Sequence, residues 1–171
     1  MRQQIIVSGI GGQGVLFLTR LIAEAAVQAG RPVLTAETHG MAQRGGSVLS
    51  TLKVGAFKSP LIRRGGADAG LFLHGPTLAL HRSLVGPDGA LIVNREEEGE
   101  GVGVDALGLA RKAGNPLLAN LILLGCAVQV RALFCDETEV EVAIRALSPE
   151  KFVAQNLEAF KIGIMHSKTQ M

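Results

Sequence analysis

Two clusters of residues carry the chemistry that this sequence offers. The first is Gly9-Ile10-Gly11-Gly12-Gln13-Gly14, which follows the apolar run Ile5-Ile6-Val7 and leads into a helix-like pattern. In a unit of strand, glycine loop and helix, three glycines serve a tight turn, a close backbone approach to a ligand, and close helix-on-strand packing; the free N–H groups of the helix start attract an anion. Gly9, Gly11 and Gly14 occupy those three places. Gln13 adds a carboxamide that both donates and accepts hydrogen bonds where loop becomes helix. Spacing alone leaves several readings open: a cradle for dinucleotide phosphates, a sharp turn with no ligand, or a seat for another anionic group.

The second cluster is Glu37-Thr38-His39-Gly40-Met41-Ala42-Gln43-Arg44-Gly45-Gly46. Glu37 stands where an acidic residue takes a ribose hydroxyl in dinucleotide-binding domains, so a stand-alone NAD- or flavin-binding Rossmann-type dehydrogenase is one hypothesis. The polar stretch after Glu37 exceeds what that function requires. Arg44 is a candidate catalytic or binding residue, because a guanidinium makes two parallel hydrogen bonds to a carboxylate or phosphate; bonding Glu37 or backbone carbonyls is the structural alternative. His39 is the second catalytic candidate, since imidazole works in either protonation state near neutral pH; an interface histidine satisfied by hydrogen bonds is the alternative. Met41 offers an apolar wall to a ligand or packs under a partner. His74 is a more distant candidate, and Arg63-Arg64 is a small basic pair suited to a phosphate or to a solvated turn.

These clusters need elements to hold them. Residues 4–9 read as a strand, and Val15, Leu18, Leu21, Ile22 and Ala25 recur at helical intervals before Gly30. "RPVLTAE" reads as a second strand buried on both faces, expected to form a right-handed βαβ unit with the first strand and the helix between them. "SVLSTLKVG", "DAGLFLHG" and "DGALIVN" are further strands, with a short helix in "PTLALHRSLVGP". "REEEGEG" is a solvated acidic turn, "VGVDALGLARKAG" an edge strand and helix, and "NPLLANLILLGCAVQVRALF" a long buried apolar helix. Two helices follow, in "DETEVEVAIRALS" and "PEKFVAQNLEAFKIGI". The expected architecture is a three-layer αβα, Rossmann-like, mostly parallel doubly wound sheet in one domain, residues 1–171. Both clusters then fall at the carboxyl edge of that sheet, where open α/β sheets bind ligands.

Composition narrows the function. The 171 residues are 47% apolar and 19% charged, so a large share is buried. A net charge of +2 and an aromatic content of 4%, without Trp or Tyr, speak against nucleic acid and an anionic membrane. Cys126 and Cys135 are too few for a disulfide framework and lack the spacing of zinc or iron–sulfur ligands; Cys126 reads as a small buried hydrophobe. No apolar run approaches a membrane span, and a cytoplasmic location is expected.

"GIGGQGV" followed by "ETHGMAQRGGSV" resembles the gamma-type domain of the 2-oxoacid:ferredoxin oxidoreductases, and the form "HGMAQRGG" is most similar to the small (beta) subunit of the indolepyruvate:ferredoxin branch. Ser59-Pro60, Asp68, "GNPLLANLILLG" and "NLEAFKIG" extend the resemblance over nearly the whole chain. It implies oxidative decarboxylation of a 2-oxoacid, with coenzyme A taking the acyl group, thiamine diphosphate stabilising the carbanion, and ferredoxin accepting electrons. The chain lacks a Gly-Asp-Gly type motif for thiamine diphosphate and Mg, and the cysteines for clusters. The resemblance therefore places thiamine diphosphate, Mg and iron–sulfur clusters on partner subunits, makes this chain inactive alone, and leaves an isolated chain the option of a homodimer. It implies that the first loop (Gly9, Gly11, Gly12, Gln13, Gly14) lies toward the thiamine diphosphate and coenzyme A region at the subunit interface. The second (Glu37, Thr38, His39, Gly40, Met41, Gln43, Arg44, Gly45, Gly46) is the element more specific to this family.

Overall fold

The computed structural model describes residues 1–39 and 46–170, without the side chains of His39 and of 168–170. Six strands form one sheet in the order β2-β3-β1-β4-β5-β6: β1 Gln3–Ile10, β2 Val33–His39, β3 Ser47–Val54, β4 Ala67–Phe72, β5 Val85–Asn94 and β6 Val102–Val104. β1, β4, β5 and β6 pair in parallel, and β3 runs antiparallel to both β1 and β2.

β2 runs parallel to β1 in the same sheet, with β3 intercalated between them. One expectation about it needs correction: it is an edge strand with Thr35, Glu37 and Thr38 exposed rather than a strand buried on both faces. The connection 40–46 explains both points. Parallel pairing needs a crossover of roughly a dozen residues or more, and so short a link returns the chain antiparallel. β3 then takes the slot beside β1, pairing Ile5 with Leu52 and Ile10 with Ser47.

Alternation along the strands splits the core between the two faces of the sheet. Ile5, Val7, Leu52, Ala69, Leu71 and Ile92 face the larger layer, made by α1 (Val15–Gln28), α3 (Ala106–Lys112), α4 (Ala119–Gln129), α5 (Glu137–Leu147) and α6 (Val153–Gln170). Ile6, Phe72, Leu91 and Val93 face the thinner one, covered by α2 (Thr77–His81) and by Ile62 and Leu84. The predicted apolar face of α1 is buried at every position, with Val15 at 3% and Leu18, Leu21, Ile22 and Ala25 fully inaccessible.

The long apolar helix is shorter than its sequence suggests. A turn of 3-10 helix, Pro116–Leu118, leads into α4, which ends at Gln129; Arg131 then adopts a left-handed φ of 57°. Asn120 through Val128 are all buried, so α4 is the hub between the sheet and α6. Cys126 is inaccessible within it, as the sequence indicates. No helix is long and apolar enough to cross a membrane, among the described residues.

β1 leaves for α1 on one face of the sheet, whereas its neighbour β4 leaves for α2 on the other. Adjacent strands whose connections diverge in this way open a crevice beyond their carboxyl ends. The first glycine cluster lies there.

Candidate functional site at the carboxyl edge of β1 and β4

The glycines divide their work differently from the usual dinucleotide loop. Gly9 is still within β1, and a Cβ there would lie 2.8 Å from Gln13 Oε1, 2.9 Å from Val15 Cγ2 and 3.1 Å from Leu73 Cβ. It therefore serves the close packing of helix on strand. Gly12 and Gly14 have φ of 92° and 79°, the left-handed region that favours glycine. Gly12 has nothing within 4 Å of where a Cβ would stand, so its backbone is open to a ligand. Gly11 has no such conformation; its N–H donates to Gly46 O at 3.1 Å.

Gln13 holds the loop in shape. Its Oε1 accepts from Ile10 N at 2.9 Å and its Nε2 donates to Leu73 O at 3.3 Å. The carboxamide that looked available to a ligand thus joins the loop to the end of β4. Asn94 at the end of β5 continues the chain of bonds, donating to the same Leu73 carbonyl at 3.0 Å and accepting from Leu107 N at 3.2 Å. Three strand ends and the start of α3 are thereby tied together.

The helix starts around this network are treated unequally. Asp105 caps α3 by accepting from Gly108 N at 2.7 Å. α1 begins after Gly14, which has no side chain with which to cap it, and its first intrahelical bond is Leu18 N to Gly14 O. The N–H groups of Val15, Leu16 and Phe17 are left without a side-chain acceptor among the described residues. An uncapped helix start of this length carries about half a positive charge and suits an anion.

Two spaces adjoin the network. A cleft of about 500 Å³ is lined by Gln13, His74, Asn94, Arg95 and the carboxylates Glu96, Glu97 and Glu98. A smaller, more enclosed cavity of about 200 Å³ is lined by Gly12, Gln13, Leu73, Asn94, Leu107, Leu117 and Asn120, with no carboxylate. An anion is favoured in the second and repelled by the rim of the first.

The second cluster is brought to the same edge. His39 pairs with Val48 and Ile10 with Ser47, and the bond from Gly11 to Gly46 fixes the end of that cluster against the glycine loop. Gly40, Met41, Gln43, Arg44 and Gly45 lie outside the described residues, as does the side chain of His39. Glu37 and Thr38 are exposed on the edge strand. Two interstrand spacings, roughly 10 Å, separate β2 from β1, so Glu37 does not stand beside the glycine loop as a ribose-binding acid would. His74 lines the larger cleft, as its position after a strand suggests. Arg63 and Arg64 precede β4 and therefore lie at the opposite edge.

Sequence reading missed Asn94, Leu107 and Asn120. For Asn120 a signal existed: it is a polar residue within the otherwise apolar run "LLANLILLG". No three His, Cys, Asp or Glu side chains gather as a metal site among the described residues. Both cysteines are core residues, with burial pushing the Cys126 thiol up and that of Cys135 up to about 12.

The family model for pyruvate ferredoxin/flavodoxin oxidoreductase matches residues 4–165. The chain belongs to this family. It is a gamma-type subunit of the 2-oxoacid:ferredoxin oxidoreductases. Indolepyruvate oxidoreductase subunit IorB of Archaeoglobus fulgidus is 35% identical to it, over 95% of this chain and 94% of that relative. Among solved structures, the gamma subunit of keto/oxoacid ferredoxin oxidoreductase from Geobacter sulfurreducens is 25% identical, superimposes with a TM-score of 0.79, and is covered over 98% of this chain and 99% of its own. The fold also matches part of the 2-oxoglutarate:ferredoxin oxidoreductase from Magnetococcus marinus, solved with 2-oxoglutarate, coenzyme A and succinyl-CoA bound. There the TM-score is 0.80 at 22% identity, over 98% of this chain and 31% of that one. The same αβα fold thus occurs both as a separate subunit and as part of a longer chain. The intercalated antiparallel β3 and the displaced Glu37 distinguish the unit here from a dinucleotide-binding domain.

Proposed function

We propose that residues 1–171 form a single gamma-type domain serving an indolepyruvate:ferredoxin oxidoreductase. The complete enzyme converts an aryl 2-oxoacid, coenzyme A and oxidised ferredoxin into the acyl-CoA, carbon dioxide and reduced ferredoxin, with two electrons passing to ferredoxin. The observation that carries this reading is family membership joined to an uncapped α1 start at the switch point of the sheet. Near full-length similarity to an indolepyruvate oxidoreductase subunit supports the choice of acid.

The residues of this chain fit an anionic co-substrate and not a metal cofactor. Gly12 presents open backbone, and Val15, Leu16 and Phe17 present free N–H groups, which together suit a phosphate of coenzyme A. Cys126 and Cys135 are two thiols where an iron–sulfur cluster takes four. Thiamine diphosphate, Mg and the clusters therefore belong to partner subunits, and thiamine diphosphate supplies the electron sink for decarboxylation there. Glu37 and Thr38 are exposed on β2, whose end leads into the second cluster. Arg44 pairs with a substrate carboxylate or a coenzyme A phosphate, and His39 is the candidate for proton transfer or substrate contact. The complex works in the cytoplasm.

The test is a paired assay. The chain alone, and the chain coexpressed with a thiamine diphosphate-binding subunit from its own genome, are each assayed for 2-oxoacid- and coenzyme A-dependent reduction of a viologen dye. Activity confined to the pair, greatest with indolepyruvate in a substrate panel, is the expected result. Tight NAD or flavin binding by the chain alone, with no pair formed, would overturn it.

A further inference from the structure

We propose that Asn120 is a ligand-binding residue whose Nδ2 donates to an oxygen of an anionic ligand seated at the N-terminus of α1. This rests on the reading of the glycine loop as a phosphate site and adds to it a donor from the distant helix α4.

The side chain is 6% exposed, and its orientation is set by a task of its own. Asn120 lies in the first turn of α4, where N–H groups lack intrahelical acceptors. Its Oδ1 accepts from Leu121 N at 2.7 Å. That bond fixes which end of the carboxamide faces the backbone and sends Nδ2 the other way. Nδ2 then stands against Gly14, so close that any Cβ there would collide with it. It makes no hydrogen bond to a described residue and is not sealed in the core, so it is a donor left open to the cavity that Asn120 lines.

Holding Leu121 N requires only an acceptor, which Asp or Ser would also provide. An amide nitrogen serves a second purpose. It lies at the left-handed Gly14, beside the uncapped Val15, Leu16 and Phe17, and its residue lines the 200 Å³ cavity that Gly12 also lines. The carboxamide oxygens of the other two polar lining residues, Gln13 and Asn94, already accept from Ile10 N and Leu107 N, and no carboxylate repels an anion there. The glycine loop and the start of α4 thus both line this cavity, through Gly12 and Asn120, and Asn120 Nδ2 stands against Gly14, from which α1 sets out. The chemistry recognised is an oxygen anion of the phosphate class.

The full chain, labelled with ¹⁵N, is titrated separately with inorganic pyrophosphate and with coenzyme A, following the amides of Gly12, Gly14, Val15 and Leu16. Asn120→Asp keeps the acceptor for Leu121 N and replaces the donor with a like charge; Asn120→Ala removes both, and thermal unfolding checks that each variant is folded. The expected result is a shift of these amides in the wild type and a dissociation constant raised about tenfold or more in Asn120→Asp, as befits a lost hydrogen bond to a charged group. Asn120→Ala should lie between the two. If both variants bind coenzyme A as the wild type does, the role of Asn120 is refuted and the phosphate reading of the loop stands. If pyrophosphate moves the amides in an Asn120-dependent way and coenzyme A does not, Asn120 keeps its role and the coenzyme A assignment falls. If neither probe moves them, both are overturned.

Discussion

Gly125 of α4 and Gly163 of α6 lie back to back, and a Cβ on Gly125 would stand 3.1 Å from the Cα of Gly163 and closer still to the carbonyl oxygen of Phe160. A Cβ on Gly163 would meet the carbonyl oxygen of Ile122 and stand 2.9 Å from Cys126 N. The obstacles are backbone atoms, which cannot rotate aside. The two helices therefore pack at a separation that only glycine permits, and Asn120 reaches Gly14 from a helix whose position that contact helps to set.

Replacing Gly163 with Ala tests the contact. In an exposed helix interior this change gains about 1 kcal/mol from helix propensity. Here the helices must part, and overpacking typically costs about 1–3 kcal/mol. The expected net result is destabilisation, read as a lower thermal midpoint. A midpoint equal to or above that of the wild type would mean that α4 and α6 separate freely.

His81 gives the fold a pH dependence. Its Nδ1 lies 2.8 Å from the fully buried Ser8 Oγ, and burial lowers its pKa below the ordinary value. In the neutral ring Nδ1 accepts from the Ser8 hydroxyl; protonation removes that acceptor. With the folded pKa depressed, the unfolded chain binds more protons between the two values, so stability rises with pH across that window and is lost as pH falls below about 6.5. Asn at this position offers an acceptor near the place of Nδ1 without titrating. Between about pH 7.5 and about pH 5, His81→Asn should lose less stability in urea titrations than the wild type. Equal losses would assign the acid sensitivity elsewhere.

Where local pattern determined the structure, the sequence was readable. α1 showed its buried stripe from Val15 to Ala25, and β1, β4 and β5 appeared as short apolar runs bounded by glycine or polar residues. Strand order is not a local property. Nothing within "RPVLTAE" says that β3 will intervene between it and β1; the signal was the short connection 40–46, which cannot carry a parallel crossover. α4 looked longer because its apolar content continues through Leu133 and Phe134, although the helix itself ends at Gln129. In the candidate site, the glycine loop was visible as a motif, whereas Asn94 and Asn120 act through contacts across the fold that no spacing reveals.

The two thiols should be silent in the native chain. Cys135 is pushed up to about 12, first by burial and further by Glu139 and Asp136. At about pH 8 its thiolate fraction is then on the order of one in ten thousand. Cys126 is raised in the same direction and fully inaccessible. Iodoacetamide treatment followed by mass measurement should give no adduct on the native protein and one on each cysteine in denaturant. Rapid native labelling of Cys135 would show that the start of α5 opens readily.

Gln13→Ala separates the architectural part of the glycine loop from its ligand chemistry. The substitution removes the acceptor of Ile10 N, which closes the loop on the end of β1, and the donor to Leu73 O, which joins the loop to the end of β4. A partly buried donor left without its acceptor costs about 1–3 kcal/mol, and Asn94 still serves the Leu73 carbonyl, so the upper half of that range is not reached. The stability loss should therefore be about 1–2 kcal/mol, accompanied by faster hydrogen exchange at the Ile10 amide and little change at the amides of β5. A second effect follows from geometry: with the loop released from β4, Gly12 and Gly14 lose the framework that presents the start of α1, and pyrophosphate binding weakens although no ligand-contacting group has been removed. Unchanged exchange at Ile10 would show that the loop holds its shape through its glycines and the Gly11–Gly46 bond alone.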